Sequence, residues 1–135
     1  MAIQAASYGR FPYSAKPIVL IEEPESNLHP NYQSKLADLL VDATNNFNIQ
    51  FIVETHSEYL IRKLQYLTAK NVIKPEDTII HYFTDPKQLA KGEKQIKEIR
   101  IKKNGVLTQD FGTGFFDEAD NLAIDLFQIS DSAQN

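Results

Sequence analysis

The sequence predicts an α/β chain: a small, mainly parallel sheet flanked by helices, with an antiparallel hairpin and a last helix at the C-terminal side. Three observations predict it. The apolar run Ile18–Ile21, and Phe51, Ile52 and Val53 within Ile49–Val53, leave no polar side, as in strands buried in a parallel sheet. Helical periodicity fills the stretch between them and returns after the second. Asn104-Gly105 stands just before Val106-Leu107, the strongest short hairpin signal in the chain.

Taken in order, Ala2 to Ser7 are small and helix-compatible, and Gly9, Pro12 and Pro17 then interrupt the chain. Ile18–Ile21 reads as the first strand, and it stops at Glu22-Glu23-Pro24-Glu25, where Pro24 has no N–H to give to a ladder. Pro30 suits the first position of a helix, in which Tyr32, Leu36, Leu39, Leu40 and Ala43 form an apolar face and Asn45-Asn46 mark the end. After the second strand, Ser57 is the expected N-cap of a helix with Glu58 in its first turn and Leu60, Ile61, Leu64 and Leu67 facing inward. Thr78–Phe83 reads as a third strand and Asp85–Lys94 as an exposed, lysine-rich loop. Ile99 and Ile101 alternate with polar neighbours ahead of the Asn104-Gly105 turn. Phe115, Ala119, Leu122, Leu126 and Ile129 are spaced to pack a final helix inward, and residues 130–135 form a polar tail expected to fray. Neither a repeat nor a linker divides the 135 residues, so one domain is expected.

Composition narrows the function. A formal net charge of -4 argues against a broad basic face, so DNA is expected to be contacted only indirectly, through another part or partner. With no cysteine, a disulfide framework and cysteine-ligated zinc are excluded. No apolar run is long enough for a membrane span, and the first residues lack the basic segment and long apolar core of a secretory signal; a cytoplasmic protein is expected.

The chemistry concentrates in Pro17-Ile18-Val19-Leu20-Ile21-Glu22-Glu23-Pro24-Glu25-Ser26-Asn27-Leu28-His29-Pro30. A hydrophobic strand that ends in two carboxylates is the arrangement with which nucleotide hydrolases hold magnesium and orient water against a terminal phosphate. Downstream, Phe51-Ile52-Val53-Glu54-Thr55-His56-Ser57 sets a histidine just past the next strand. Neighbouring parallel strands would carry His56 to the same carboxyl edge as Glu22 and Glu23. The two segments resemble the Walker B, D-loop and H-loop regions of ABC-type ATPases, and most resemble the overcoming-lysogenization-defect-like and AAA-like bacterial ATPases that read Glu-Glu-Pro-Glu followed by Leu-His-Pro. The resemblance runs from about Ile3 to Phe115-Phe116-Asp117-Glu118-Ala119. It implies a partial P-loop NTPase core, with ATP and magnesium as the cofactors of the complete protein. By resemblance Glu22 is the metal carboxylate, Glu23 polarises the attacking water, and His56 is the switch histidine that senses the terminal phosphate. Ser26, Asn27 and His29 fall in the D-loop, which in such proteins crosses to the other subunit of a nucleotide sandwich. DNA repair, mobile-element control or phage defence is the implied setting.

Two departures qualify the transfer. Glu22 stands where the wider ABC class has aspartate. None of the five glycines opens a Gly-x-x-x-x-Gly-Lys-Ser/Thr loop, and no Ser-Gly-Gly-Gln-like signature occurs. In the family both lie upstream, with Ala2 to Ser7 matching the tail of the helix after the signature. The expectation is a truncated gene product, a cut piece or one part of a split protein, inactive alone. Its partner would be a missing N-terminal ATPase half or a second ATPase subunit, with self-association also expected. The competing reading is a scaffold that completes a separately encoded ATPase. A metal-dependent nuclease built on Glu23, Glu25, His29 and His56 ranks below both. His81, inside an apparent strand, reads as a structural residue, and Glu54 as a capping or pairing group.

Overall fold

The computed structural model describes residues 16–112, 115–118, 121, 122 and 124–126. The chain forms two compact units that divide between His56 and Ser57.

In the first unit, β1 (Ile18–Glu22) and β2 (Gln50–Glu54) are parallel neighbours, with Ile18 opposite Gln50 and Glu22 opposite Glu54. The connection is α1 (Pro30–Phe47), an 18-residue helix. Such a crossover is what a parallel pair requires, because no tight turn can return the chain to the starting edge. Pro30 takes the first helical position, where its missing N–H costs nothing. The helix runs past Asn45-Asn46 and ends at Asn48, whose left-handed backbone (φ 53°) turns its own N–H onto the Thr44 carbonyl.

The buried face of α1 is rotated from the one the sequence suggested. Ala37 and Val41 are its buried residues, one turn apart, while Tyr32 and Leu39 are exposed. The cause is the sheet beneath: a two-stranded pair offers a narrow floor, and the small residues at 37 and 41 allow close approach. Val19 and Ile21 pair with Phe51 and Val53, and of these only Val19 is exposed. The opposite face carries Ile18, Leu20 and Ile52, all exposed, with Leu20 at 73%. Strands expected to be covered on both faces thus show apolar side chains to solvent here.

The second unit begins with α2 (Glu58–Ala69), capped by Ser57 as expected, with Leu60, Ile61, Leu67 and Thr68 buried. The third strand is β3 (Ile80–Phe83). It pairs antiparallel with β4 (Ile96–Ile99) in a sheet separate from the first. The mainly parallel sheet of the sequence reading is therefore corrected. The described residues hold one parallel and one antiparallel pair of strands. The connection from Phe83 to Ile96 contains only a 3-10 turn at Pro86–Gln88, too little for a crossover, so the strand that follows must return antiparallel. Its lysines lie in that connection and are exposed as expected.

The Asn104-Gly105 turn is present. Lys102 N–H donates to the Val106 carbonyl, and Ile101 bridges Leu107 antiparallel, with Ile99 and Ile101 fully buried. Gly105 has φ 83°, and its carbonyl accepts from Gln65 Nε2 of α2 at 2.8 Å. Tyr82, Phe111, Phe115 and Phe116 form an aromatic cluster of edge-to-face and tilted ring pairs with centroid spacings of 4.7–6.1 Å. In the expected last helix, Leu122, Ile124 and Leu126 are exposed, which corrects the inward packing of Leu122 and Leu126. Ala119, Ile129 and the tail 130–135 lie outside the described residues, as do Ala2 to Ser7. His81 is exposed and stands opposite Glu98 rather than in a core. No helix among the described residues is long and apolar enough to cross a membrane.

Candidate functional site

The carboxyl ends of β1 and β2 bring together the residues singled out from the sequence. Glu22 and Glu54 are register partners on the exposed face, two like charges side by side. Opposed like charges raise the energy of a strand pair, so the edge gains whenever a cation reaches it. Glu23 extends the ladder by one bond, its N–H donating to the Glu54 carbonyl at 2.9 Å. There the strand stops, because Glu23 adopts φ 43°, a left-handed conformation that is costly for a side chain with a β-carbon. Strain of this kind persists only where surrounding bonds impose it, and it is frequent at functional sites.

Two linked turns follow. Ser26 N–H donates to the Glu23 carbonyl at 3.0 Å, and Leu28 N–H to the Glu25 carbonyl at 2.9 Å, with Asn27 also left-handed at φ 63°. Ser26, Asn27 and His29 are exposed along this loop. His29 is the N-cap of α1, its Nδ1 accepting from Asn31 N–H at 3.3 Å. Gln33 Nε2 donates to the Leu28 carbonyl and ties the loop to the helix.

His56 follows β2 by two residues. Its Nε2 lies 3.9 Å from Glu23 Oε1, and both side chains are open to solvent, 75% and 57% exposed. The structure therefore unites Glu22, Glu23 and His56 at one edge on adjacent strands. A histidine on the opposite edge would have separated them.

Glu25 is the residue whose part the sequence reading did not assign. It is 8% exposed, and its Oε1 accepts the His56 backbone N–H at 2.6 Å. Its Oε2 is buried with no hydrogen-bond partner among the described residues. The available signal was a third carboxylate directly behind Pro24, in a turn too tight for all of them to face water. With Glu25 engaged on His56 and His29 capping α1, two of the four groups of the nuclease reading are occupied otherwise. Among the described residues no group of three or more acidic, histidine or cysteine side chains is arranged to hold a metal ion.

The second unit has an open depression of about 460 Å³ between α2 and the 104–107 turn. Arg62 on its wall is bound to Glu58 and stacked over Phe116.

Comparison with known proteins relates the stretch that contains this edge to an ATPase family. Residues 3–62 match AAA_21, an AAA-domain family whose description names the AbiEii toxin and a Type IV TA system. Residues 73–126 match a family described as a protein of unknown function, DUF3696. Methionine import ATP-binding protein MetN 2 of Oceanobacillus iheyensis is 30% identical over 76 residues, which is 54% of this chain and 22% of that protein. No solved structure matches the chain. The N-terminal part of the chain is thus similar to a segment of ABC/AAA-like ATPase domains, and the chain spans less than a quarter of the length of the ATP-binding protein it matches.

Proposed function

We propose that this chain, as the bearer of an ABC/AAA-like ATPase segment, supplies the carboxylate and histidine edge of an ATP-hydrolysing site and works with a partner that supplies the phosphate loop. The observation that carries the reading is the placement of Glu23 Oε1 3.9 Å from His56 Nε2 at the carboxyl ends of adjacent parallel strands. Crevices at such ends are where open α/β sheets bind their ligands. Glu23 is the group that orients and polarises the attacking water by accepting a hydrogen bond from it. His56, with an exposed ring, senses the terminal phosphate. Ser26, Asn27 and His29 occupy the loop that faces a second subunit. The paired Glu22 and Glu54 carboxylates are hard oxygen donors that suit magnesium, and Glu22 is the residue that would hold it. Magnesium bound with ATP supplies neutralisation of phosphate charge. The partner is an N-terminal ATPase half or a second ATPase subunit, and the setting is DNA repair, mobile-element control or phage defence. The toxin named in the description of the matched family supports a defence setting.

Alone, the chain is expected to be inactive. Glu22, Glu23 and Glu25 repel a triphosphate, and the sequence has no glycine-lysine loop whose amides and ammonium would offset that repulsion. This same feature favours the second reading, a non-catalytic scaffold that completes the site of a separately encoded ATPase. Calorimetry with magnesium-ATP and a phosphate-release assay test both. The chain alone should show neither tight binding nor turnover; micromolar affinity would overturn that expectation. With the phosphate-loop half added in trans, turnover should appear, and Glu23→Gln should abolish it while nucleotide binding stays. Turnover indifferent to Glu23→Gln would leave the scaffold reading.

A further inference from the structure

We infer that Glu25 is a positioning residue that couples the 23–28 turn to His56 by holding the His56 backbone N–H. The inference rests on the reading of Glu23 and His56 given above, but its core is geometric. His56 has an exposed ring, so surrounding side chains do little to fix where it points. Its backbone is fixed instead, by a carboxylate at 2.6 Å across 31 residues of sequence. A bond from an amide to a charged acceptor is among the stronger kinds a protein makes.

The carboxylate is itself immobilised. Glu25 is 8% exposed, and its carbonyl accepts from Leu28 while Glu23, two residues earlier, accepts from Ser26. Among the described residues Oε2 is buried with no hydrogen-bond partner, and the bond from the His56 amide to Oε1 helps hold the side chain in place. A displacement of the turn is therefore passed directly to the histidine backbone through this bond. The turn contains Ser26 and Asn27, the residues expected to meet a second subunit. Seating of that subunit on the turn would thus reset the distance between His56 and Glu23.

The test uses the isotopically labelled chain. In the wild type, a scalar coupling across the hydrogen bond should connect the His56 amide nitrogen with the Glu25 carboxyl carbon. Glu25→Gln keeps an acceptor oxygen and should retain slow exchange of the His56 amide. Glu25→Ala removes it and should speed that exchange roughly tenfold or more, with loss of the contacts between the His56 ring and Glu23. Exchange unchanged in Glu25→Ala, or equally fast in Glu25→Gln, overturns the coupling. Should Glu25→Ala fail to fold, the wild-type scalar coupling decides alone, its absence being the negative result. Turnover in the presence of the phosphate-loop half separates the two levels. A fall in kcat at unchanged KM in Glu25→Ala, rescued in Glu25→Gln, supports both. Absence of any turnover with the amide effect intact sinks the ATPase reading and leaves the coupling standing, whereas turnover that is present but indifferent to Glu25→Ala overturns the part of the coupling in catalysis.

Discussion

Replacing Gly105 by alanine should cost far more than the same change at Gly92, although both glycines have positive φ. At Gly92 (φ 93°) an added β-carbon meets nothing within 4 Å, so only backbone strain is felt, about 1–2 kcal/mol. At Gly105 (φ 83°) the β-carbon would sit 2.8 Å from the Gln65 carbonyl oxygen and 3.1 Å from Ala69 Cβ. Both atoms belong to α2 and cannot swing away as the end of a flexible side chain would. The turn must retreat, which adds about 1–3 kcal/mol for overpacking. Retreat also breaks the 2.8 Å bond from Gln65 Nε2 to the Gly105 carbonyl, about 1 kcal/mol more. The difference between the two variants is then about 2 kcal/mol or larger. Urea titration followed by far-ultraviolet circular dichroism should read it as a midpoint lower by about 1 M for Gly105→Ala than for Gly92→Ala. Equal midpoints would refute the contact between the turn and α2.

Further tests bear on the caps and the exposed sheet face. Ser57→Ala removes the oxygen that accepts from Leu60 N–H at 3.2 Å, so the melting temperature should fall by about 4 °C for a loss of about 1 kcal/mol; no change in a thermal melt would deny the cap. Asn48→Val should destabilise by about 1–2 kcal/mol in denaturant titration, and Asn48→Gly should not, because only the former is strained at φ 53°; equal effects would contradict the left-handed cap. Light scattering should find the chain associated beyond a monomer and less so in Leu20→Lys, since Leu20 is exposed on the open face; a monodisperse wild-type monomer would argue against it.

Local chemistry made much of this structure legible. The parallel pair around α1 follows from two apolar runs with a helical stretch between them, and Pro30, Ser57 and Asn104-Gly105 each announce a start or a turn through their own backbone needs. What depended on distant partners was not legible. Leu39 is more apolar than Ala37 and Val41, and only the sheet decides which of them it covers. Thr78–Phe83 reads as a strand, but nothing in it says which strand it will join. That was fixed by the length of the 84–95 connection. At the site, residue types and spacing pointed to Glu22, Glu23 and His56. The role of Glu25 was hidden because it acts through a backbone amide, which every residue possesses and no sequence distinguishes.

His29 holds a further consequence in the way it caps α1. A neutral imidazole has one proton for two nitrogens, and Nδ1 here accepts from Asn31 N–H, so the proton sits on Nε2. The exposed edge of the ring therefore meets an approaching surface as a donor and never as an acceptor while the cap is formed. A carbonyl or carboxylate arriving at the start of α1 finds a hydrogen waiting for it. An ammonium or an amide N–H finds only another hydrogen, and must take the helix cap apart to be received.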